Sequence, residues 1–151
     1  MQTAQTYHNH LHTDASDHVS LTYEDRFLRR KVLTLASGQQ LLVDLPQTTS
    51  LDHGGALITT DKHEIRIDAA PEPLLEVKGD ALHRIAWHIG NRHTPCQIEL
   101  DRLLIQRDHV MADLLSKIGA TTREVTEPFT PEGGAYGHGR THGHDHSHSH
   151  T

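Results

Sequence analysis

The feature that most restricts the fold of this chain is a change in its hydrophobic pattern at Pro71 and Pro73. From Ser20 up to this pair, apolar residues occur in short runs and alternate with polar residues, as they do in half-buried strands. Beyond the pair, strand-like stretches alternate with stretches in which apolar residues recur at helical spacing. Because prolines interrupt regular backbone pairing, the two prolines predict a boundary between two small domains.

The first domain is expected to span residues 19–73 and to be a small β-barrel or β-sandwich, since several short strands follow one another closely. The predicted strands cover residues 26–35, 40–45, 56–59 and 63–67. Ser37-Gly38 and Asp61-Lys62 provide turn signals between these strands.

The second domain is expected to span residues 74–136 and to have a strand–helix–strand–helix–strand order, which favours a ferredoxin-like α+β sandwich. The predicted strands are residues 74–78, 97–105 and 122–126. Asp80 and Asp108 are the predicted N-caps of the two helices, which end near Gly90 and at Gly119. The apolar faces comprise Leu82, Ile85, Ala86 and Ile89 in the first helix, and Met111, Leu114, Leu115 and Ile118 in the second.

Histidine is strongly over-represented, with 16 copies in 151 residues. Four of them lie near the start of the chain (His8, His10, His12 and His18) and six near its end (His138, His142, His144, His146, His148 and His150). Both ends are poor in apolar residues and therefore bury too little surface to offset their chain entropy. We expect a flexible histidine-containing arm over residues 1–18 and a disordered tail over residues 137–151.

The tail alternates histidine with small residues, so several imidazoles can converge on one metal ion. The histidines that form this pattern are His142, His144, His146, His148 and His150. Neutral imidazole is a good ligand for Ni, Cu and Zn, and metal binding is the expected property of such a tract. A purification tag and inert low-complexity sequence are less favoured alternatives, because the run is interrupted and mixed. The N-terminal histidines fit a metal site and a variable polar arm equally well.

Composition excludes several classes of protein. The formal net charge of −6 argues against nucleic-acid binding, which needs a basic face. Neither a run of about 18 apolar residues nor an apolar signal-peptide region is present, so we expect neither a membrane span nor secretion. Cys96 is the lone cysteine, which fits a reducing compartment and hence the cytoplasm. The apolar fraction of 34% is thin for two small domains and favours an oligomer.

The sequence has no recognisable catalytic constellation. The Gly-Gly pairs at residues 54–55 and 133–134 lack the strand-to-helix context and the lysine of a phosphate-binding loop. A metal-dependent hydrolase would need a third protein ligand and a general base beside an open metal position, and neither is readable. We therefore expect a binding protein that is not an enzyme.

The segment His88-Ile89-Gly90-Asn91-Arg92-His93-Thr94-Pro95-Cys96-Gln97-Ile98 resembles the signature of the urease accessory protein UreE family. That family has a histidine, an aliphatic residue, Gly-Asn-Arg-His, a proline and then Gln-Ile. Asp108-His109-Val110 with the following amphipathic helix also fits the family pattern, and so do Pro71–Val77 and Phe129–Gly137. The resemblance covers roughly residues 19–137 and the histidine-rich tail.

The resemblance implies a homodimeric nickel metallochaperone with a peptide-binding-like N-terminal domain and a ferredoxin-like metal-binding domain. Its cargo would be Ni(II), with Zn(II) or Cu(II) as alternatives. Its partners would be the urease apoprotein, the GTPase UreG, and UreD and UreF. A histidine-rich metal-storage protein without a urease client is the alternative function.

The resemblance also assigns site residues. His93 falls on the family's interfacial metal ligand and His109 on a peripheral one, while Gln106 and Arg107 stand where many members have a further histidine. A single His93 cannot fill the four to six positions of a nickel or zinc ion, whereas a twofold axis would supply two copies. His88 is expected to shape the site without ligating. Cys96 is more compatible with a buried apolar role than with a thiolate ligand, and His53, His63 and His83 are expected at the surface.

Overall fold

The computed structural model describes residues 1–133, and the chain divides into two compact units between Ala70 and Pro71. The predicted tail, residues 137–151, lies outside the described residues. Pro71 and Pro73 belong to the first strand of the second unit. Neither helix within residues 1–133 has the length and apolar content needed to cross a membrane.

The first unit is built on a single six-stranded sheet. Its strands are β1 (Gln2–His8), β2 (Asp17–Leu21), β3 (Phe27–Thr34), β4 (Gln40–Ser50), β5 (Ala56–Thr59) and β6 (Glu64–Ala69). The strand order is β2-β6-β5-β1-β4-β3, with β1–β4 and β2–β6 parallel and the other pairs antiparallel. The N–H of Ala36, just after β3, donates to the carbonyl of His18 in β2 at 2.8 Å, which links the two edges. The sheet therefore curls into a half barrel around one core.

The expectation of a flexible arm at the N-terminus is wrong, because β1 lies inside this sheet. It pairs with β4 on one side and with β5 on the other, and Ala4 at its centre is fully buried. The two neighbouring strands satisfy the backbone N–H and C=O groups of β1, so the strand needs little apolar surface of its own. A polar composition therefore concealed a central strand.

The second unit has a four-stranded antiparallel sheet and two helices. Its elements are β7 (Pro71–Lys78), α1 (Leu82–Asn91), β8 (Gln97–Ile98), β9 (Leu103–Gln106), α2 (His109–Lys117) and β10 (Thr121–Pro128). The strand order is β10-β7-β9-β8. The β-α-β-β-α-β order is that of the ferredoxin-like class, whereas the sequence predicted strand–helix–strand–helix–strand, which is one strand fewer.

The single strand predicted over residues 97–105 is wrong, since β8 and β9 form a hairpin there. The N–H of Glu99 donates to the carbonyl of Arg102 at 3.0 Å and closes the turn. Ile98 and Leu100 at this turn are exposed, although they are apolar. The turn has no glycine, proline or asparagine, so the sequence reads as one alternating strand.

The helices pack on the sheet through the faces that the sequence predicted. Ile85 and Ile89 of α1 and Met111 and Leu115 of α2 are buried in one hydrophobic cluster. The Asp108 side chain caps α2 by accepting a hydrogen bond from the N–H of Val110 at 2.9 Å, as expected. Gly119 ends the helix with φ +91°. At α1 the prediction is wrong, because Ala81 instead of Asp80 occupies the N-cap position and gives no side-chain cap.

Arg102 holds a network of carboxylates on the second sheet. Its guanidinium lies 2.7 Å from Glu127, 2.9 Å from Glu99 and 3.1 Å from Glu76. Glu76 is buried and also accepts a hydrogen bond from Arg123. Hydrogen bonds from Arg123 and Arg102 lower the pKa of Glu76, and a hydrogen bond from Arg102 lowers that of Glu127.

We expect Arg102→Met to reduce the free energy of unfolding by about 1–2 kcal/mol at pH 7, since it leaves buried Glu76 without one of its cations. The loss should shrink in acid. A lowered folded-state pKa stabilises the fold above the unfolded pKa, and this contribution disappears as pH falls through the folded value. Urea unfolding at several pH values measures both effects. Arg66→Met, which removes an exposed pair with Asp68, should cost less, and equal losses would contradict the role of Arg102.

Candidate metal centre

The two histidines assigned to metal binding in the described part of the chain line the same groove of the second unit. The groove has a volume of about 850 Å³ and is open to solvent. Its walls come from the α1–β8 connection, the β9–α2 connection, and parts of β7 and β10. His93 lies on the first connection and His109 is the first residue of α2, and both are exposed. The predicted tail ligands, His142 to His150, lie outside the described residues.

His93 is presented by the end of α1 in a left-handed backbone conformation. Its φ is +58°, and its N–H donates to the carbonyl of Gly90 at 2.9 Å. The N–H groups of Arg92 and Thr94 both donate to the carbonyl of Ile89. The helix ends at Asn91, close to Gly90 as predicted, so the left-handed residue is the second one beyond the helix. The histidine that was predicted to bind metal thus has a backbone conformation that costs a non-glycine residue free energy.

We expect His93→Gly to be about 1 kcal/mol more stable than His93→Ala, because only glycine adopts positive φ without a Cβ penalty. Asn91→Gly is the matched control and should be destabilising, since glycine within a helix costs conformational entropy. Thermal unfolding of the three variants measures the differences. If His93→Gly were the less stable of the two variants at this position, the left-handed conformation would be contradicted.

Arg107, two residues before His109, is held in place by hydrogen bonds to the backbone of two neighbouring strands. Arg107 donates from Nε to the carbonyl of Leu74 at 3.1 Å and from Nη2 to the carbonyl of Val125 at 2.9 Å. Its other nitrogen, Nη1, lies 3.8 Å from Glu124. The arginine that stands in place of a further family histidine therefore ties the groove floor to β7 and β10. The groove offers His93 and His109 as its imidazoles.

Cys96 does not line this groove. Its side chain is buried, and burial raises the pKa of the thiol to about 11, with a smaller contribution from Glu132. The thiol therefore stays protonated near neutral pH, whereas the thiolate is the form that ligates metals. This agrees with the buried apolar role that the sequence favoured.

His88 does not line the groove that contains His93. Its ring packs edge-on against Trp87 at a centroid distance of 5.1 Å, and it lines a separate pocket with Asp80 and Arg84. His53, His63 and His83 are exposed, as expected.

The structure also brings together residues that the sequence pattern left unconnected. Ligand atoms of His8, His12 and Glu64 all lie within 4.8 Å of one another. The two histidines were visible as part of the N-terminal cluster. Nothing in the sequence indicated that Glu64 lies beside these histidines, because it is 52 residues from His12.

The chain matches two family models, one for each unit. The model described as UreE urease accessory protein, N-terminal domain, matches residues 2–70. The model described as UreE urease accessory protein, C-terminal domain, matches residues 72–151.

Curated relatives agree with these matches. A urease accessory protein UreE of Ruegeria sp. (strain TM1040) is 66% identical over 140 residues, which cover 92% of this chain and 80% of the relative. One of Ruegeria pomeroyi is 66% identical over 130 residues, covering 86% and 87%. One of Rhodobacter capsulatus is 56% identical over 127 residues, covering 84% and 81%. The chain therefore belongs to the UreE family of urease accessory proteins, which are not enzymes.

Proposed function

We propose that the protein is a homodimeric nickel metallochaperone that binds Ni(II) and delivers it for assembly of the urease active site. The observation that carries this proposal is the match of both units to the UreE family together with a groove that presents His93 and His109. The proposed partners are the urease apoprotein, UreG, UreD and UreF. The proposed location is the cytoplasm.

Two copies of His93 form the proposed delivery site. An exposed histidine at the end of a helix can meet its symmetry mate across a twofold axis, and each copy of His109 adds a flanking imidazole. Together they approach the four to six ligands that a nickel or zinc ion requires. Imidazoles suit a carrier because they protonate near neutral pH and exchange more readily than a set of thiolates.

The tail serves in this proposal as a reservoir that gathers ions for His93. A variant in which serine replaces every histidine of the tail is called the tail-substituted chain. The replaced residues are His138, His142, His144, His146, His148 and His150. We expect it to bind fewer Ni(II) ions per chain and to remain a dimer. Equilibrium dialysis and sedimentation equilibrium measure the two quantities, and a monomeric tail-substituted chain would contradict the shared site.

Urease activation tests the function in the cell. A strain that lacks this gene and expresses urease is complemented with the wild type, His93→Ala, the tail-substituted chain or His83→Ala, where His83 is an exposed histidine of α1. Delivery requires a urease defect in the deletion strain, which the wild type and His83→Ala correct and His93→Ala does not. The alternative, metal storage without a urease client, requires normal urease activity in the deletion strain.

A further inference from the structure

A second group of potential metal ligands lies in the first unit, where the sheet places His8 and Glu64 on one face. Tyr7 of β1, Leu57 of β5 and Ile65 of β6 are paired in register and pack toward the core. Because side chains alternate along a strand, the next residue of β1 and the preceding residue of β6, His8 and Glu64, project from the opposite face.

The connection between β1 and β2, residues 9–16, folds over Glu64 and adds His12 to the group. One carboxylate oxygen of Glu64, Oε1, accepts hydrogen bonds from the N–H of Thr13 at 2.7 Å, its hydroxyl at 2.8 Å and the N–H of His12 at 2.9 Å. The N–H of Ser16 donates to the Glu64 carbonyl at 3.0 Å. These bonds place the other oxygen, Oε2, 3.2 Å from Nδ1 of His12.

Glu64 has the burial and charge of a ligand to a cation. It is only 6% exposed, although its strand neighbours on this face are partly open. Three of the hydrogen bonds above fall on Oε1 of Glu64, whereas Oε2 faces Nδ1 of His12. A buried carboxylate is stabilised by a cation beside it.

The imidazoles of His8 and His12 lie beside this anion. The rings of His8 and His12 meet edge-on with centroids 5.1 Å apart, and the ring of His10 lies 4.5 Å from that of His12. Two imidazoles and a carboxylate suit a divalent first-row transition metal, and they suit Ca²⁺ or Mg²⁺ poorly because those ions prefer oxygen ligands alone. Ligand bonds of about 2.0–2.2 Å require neighbouring ligand atoms about 3–4 Å apart, so small side-chain movements would close the group around one ion.

We propose that His8, His12 and Glu64 form a metal site of the first unit, which binds one divalent first-row transition-metal ion per chain, with His10 able to supply a fourth ligand. All its ligands come from one chain and one unit. The site therefore needs neither dimerisation nor His93, and it does not depend on the proposed delivery function.

The test uses the tail-substituted chain with His93 and His109 also replaced by alanine, so that the other histidines predicted to bind metal are removed from a full-length protein. Ni(II) and Zn(II) are titrated calorimetrically, and Ca(II) serves as the comparison ion. We expect about one transition-metal ion per chain and no calcium binding. His8→Ala in this background should weaken metal binding at least about tenfold.

His8→Ala is the cleanest substitution because the hydrogen bonds to Glu64 from His12 and Thr13 do not involve His8. His63→Ala, which removes an exposed histidine next to Glu64 in sequence, is the matched control and should bind metal like the background. Glu64→Gln, which keeps the size of the side chain and removes its charge, should also weaken binding. Absence of a bound transition metal in the background, or equal affinities with and without His8, would overturn the site, and neither result bears on delivery by His93.

Discussion

The His93→Ala variant of the tail-substituted chain is expected to bind Ni(II) at least about tenfold more weakly than the tail-substituted chain itself. His93 projects into the groove from a left-handed position at the end of α1. In the proposed dimer, each substitution removes two imidazoles from one ion, because a twofold axis duplicates it. Equilibrium dialysis at fixed pH measures the affinity.

Three further variants of the tail-substituted chain show whether a loss of nickel affinity is specific to the His93 side chain. His83→Ala removes an exposed histidine of α1 outside the groove and should leave the affinity unchanged. His109→Ala should weaken binding less than His93→Ala, since the proposal places it at the flank of the ion. His93→Gly should bind nickel as weakly as His93→Ala does, although it should be the more stable of the two variants. This comparison separates the loss of a ligand from an effect on folding. An unchanged nickel affinity of His93→Ala would remove His93 as the primary ligand.

Leu115→Ala should produce the largest loss of stability among the substitutions considered, about 3 kcal/mol in the free energy of unfolding. Leu115 lies on α2, is fully buried and packs in the cluster that joins both helices to the second sheet. Truncation removes its apolar burial and leaves a cavity that the surrounding strands fill only in part. Urea unfolding measures the change.

Leu100→Ala provides a control with identical chemistry. Leu100 lies at the β8–β9 turn and is fully exposed, so its truncation should change stability by less than about 0.5 kcal/mol. Comparable losses in the two variants would contradict the packing of α2 on the sheet. Because α2 begins at His109, Leu115→Ala should also disturb the groove and lower nickel affinity, whereas Leu100→Ala should not.

Features that depend on neighbouring residues were predictable. The Asp108 cap, the apolar face through Met111 and Leu115, and the stop at Gly119 all arise within one helix, where sequence separation is at most a few residues. Helical periodicity and capping report such short-range interactions directly. The alternation of strands and helices followed from the same local signals, but the division of residues 97–105 between β8 and β9 did not.

Other features depend on residues that are distant in sequence. The segment over residues 2–8 reads as a polar arm by itself, and becomes a central strand only when β4 and β5 pair with it. The β8–β9 turn contains no glycine or proline, and its geometry is set by the antiparallel pairing of Gln97 with Leu104 and Ile98 with Leu103. Hydrophobic pattern alone does not specify which strand supplies the hydrogen-bond partners.

The candidate metal sites also combine features that the sequence predicted with features that only the tertiary structure reveals. The sequence by itself determined that the chain is rich in imidazole, and its motif singled out His93 and His109. Only the tertiary structure decided that His93 takes a left-handed backbone and shares a groove with His109. It also decided that Glu64 meets His8 and His12. The physical reason is that ligand sets assemble through strand pairing and loop closure across tens of residues, and no local pattern of residues encodes those distances.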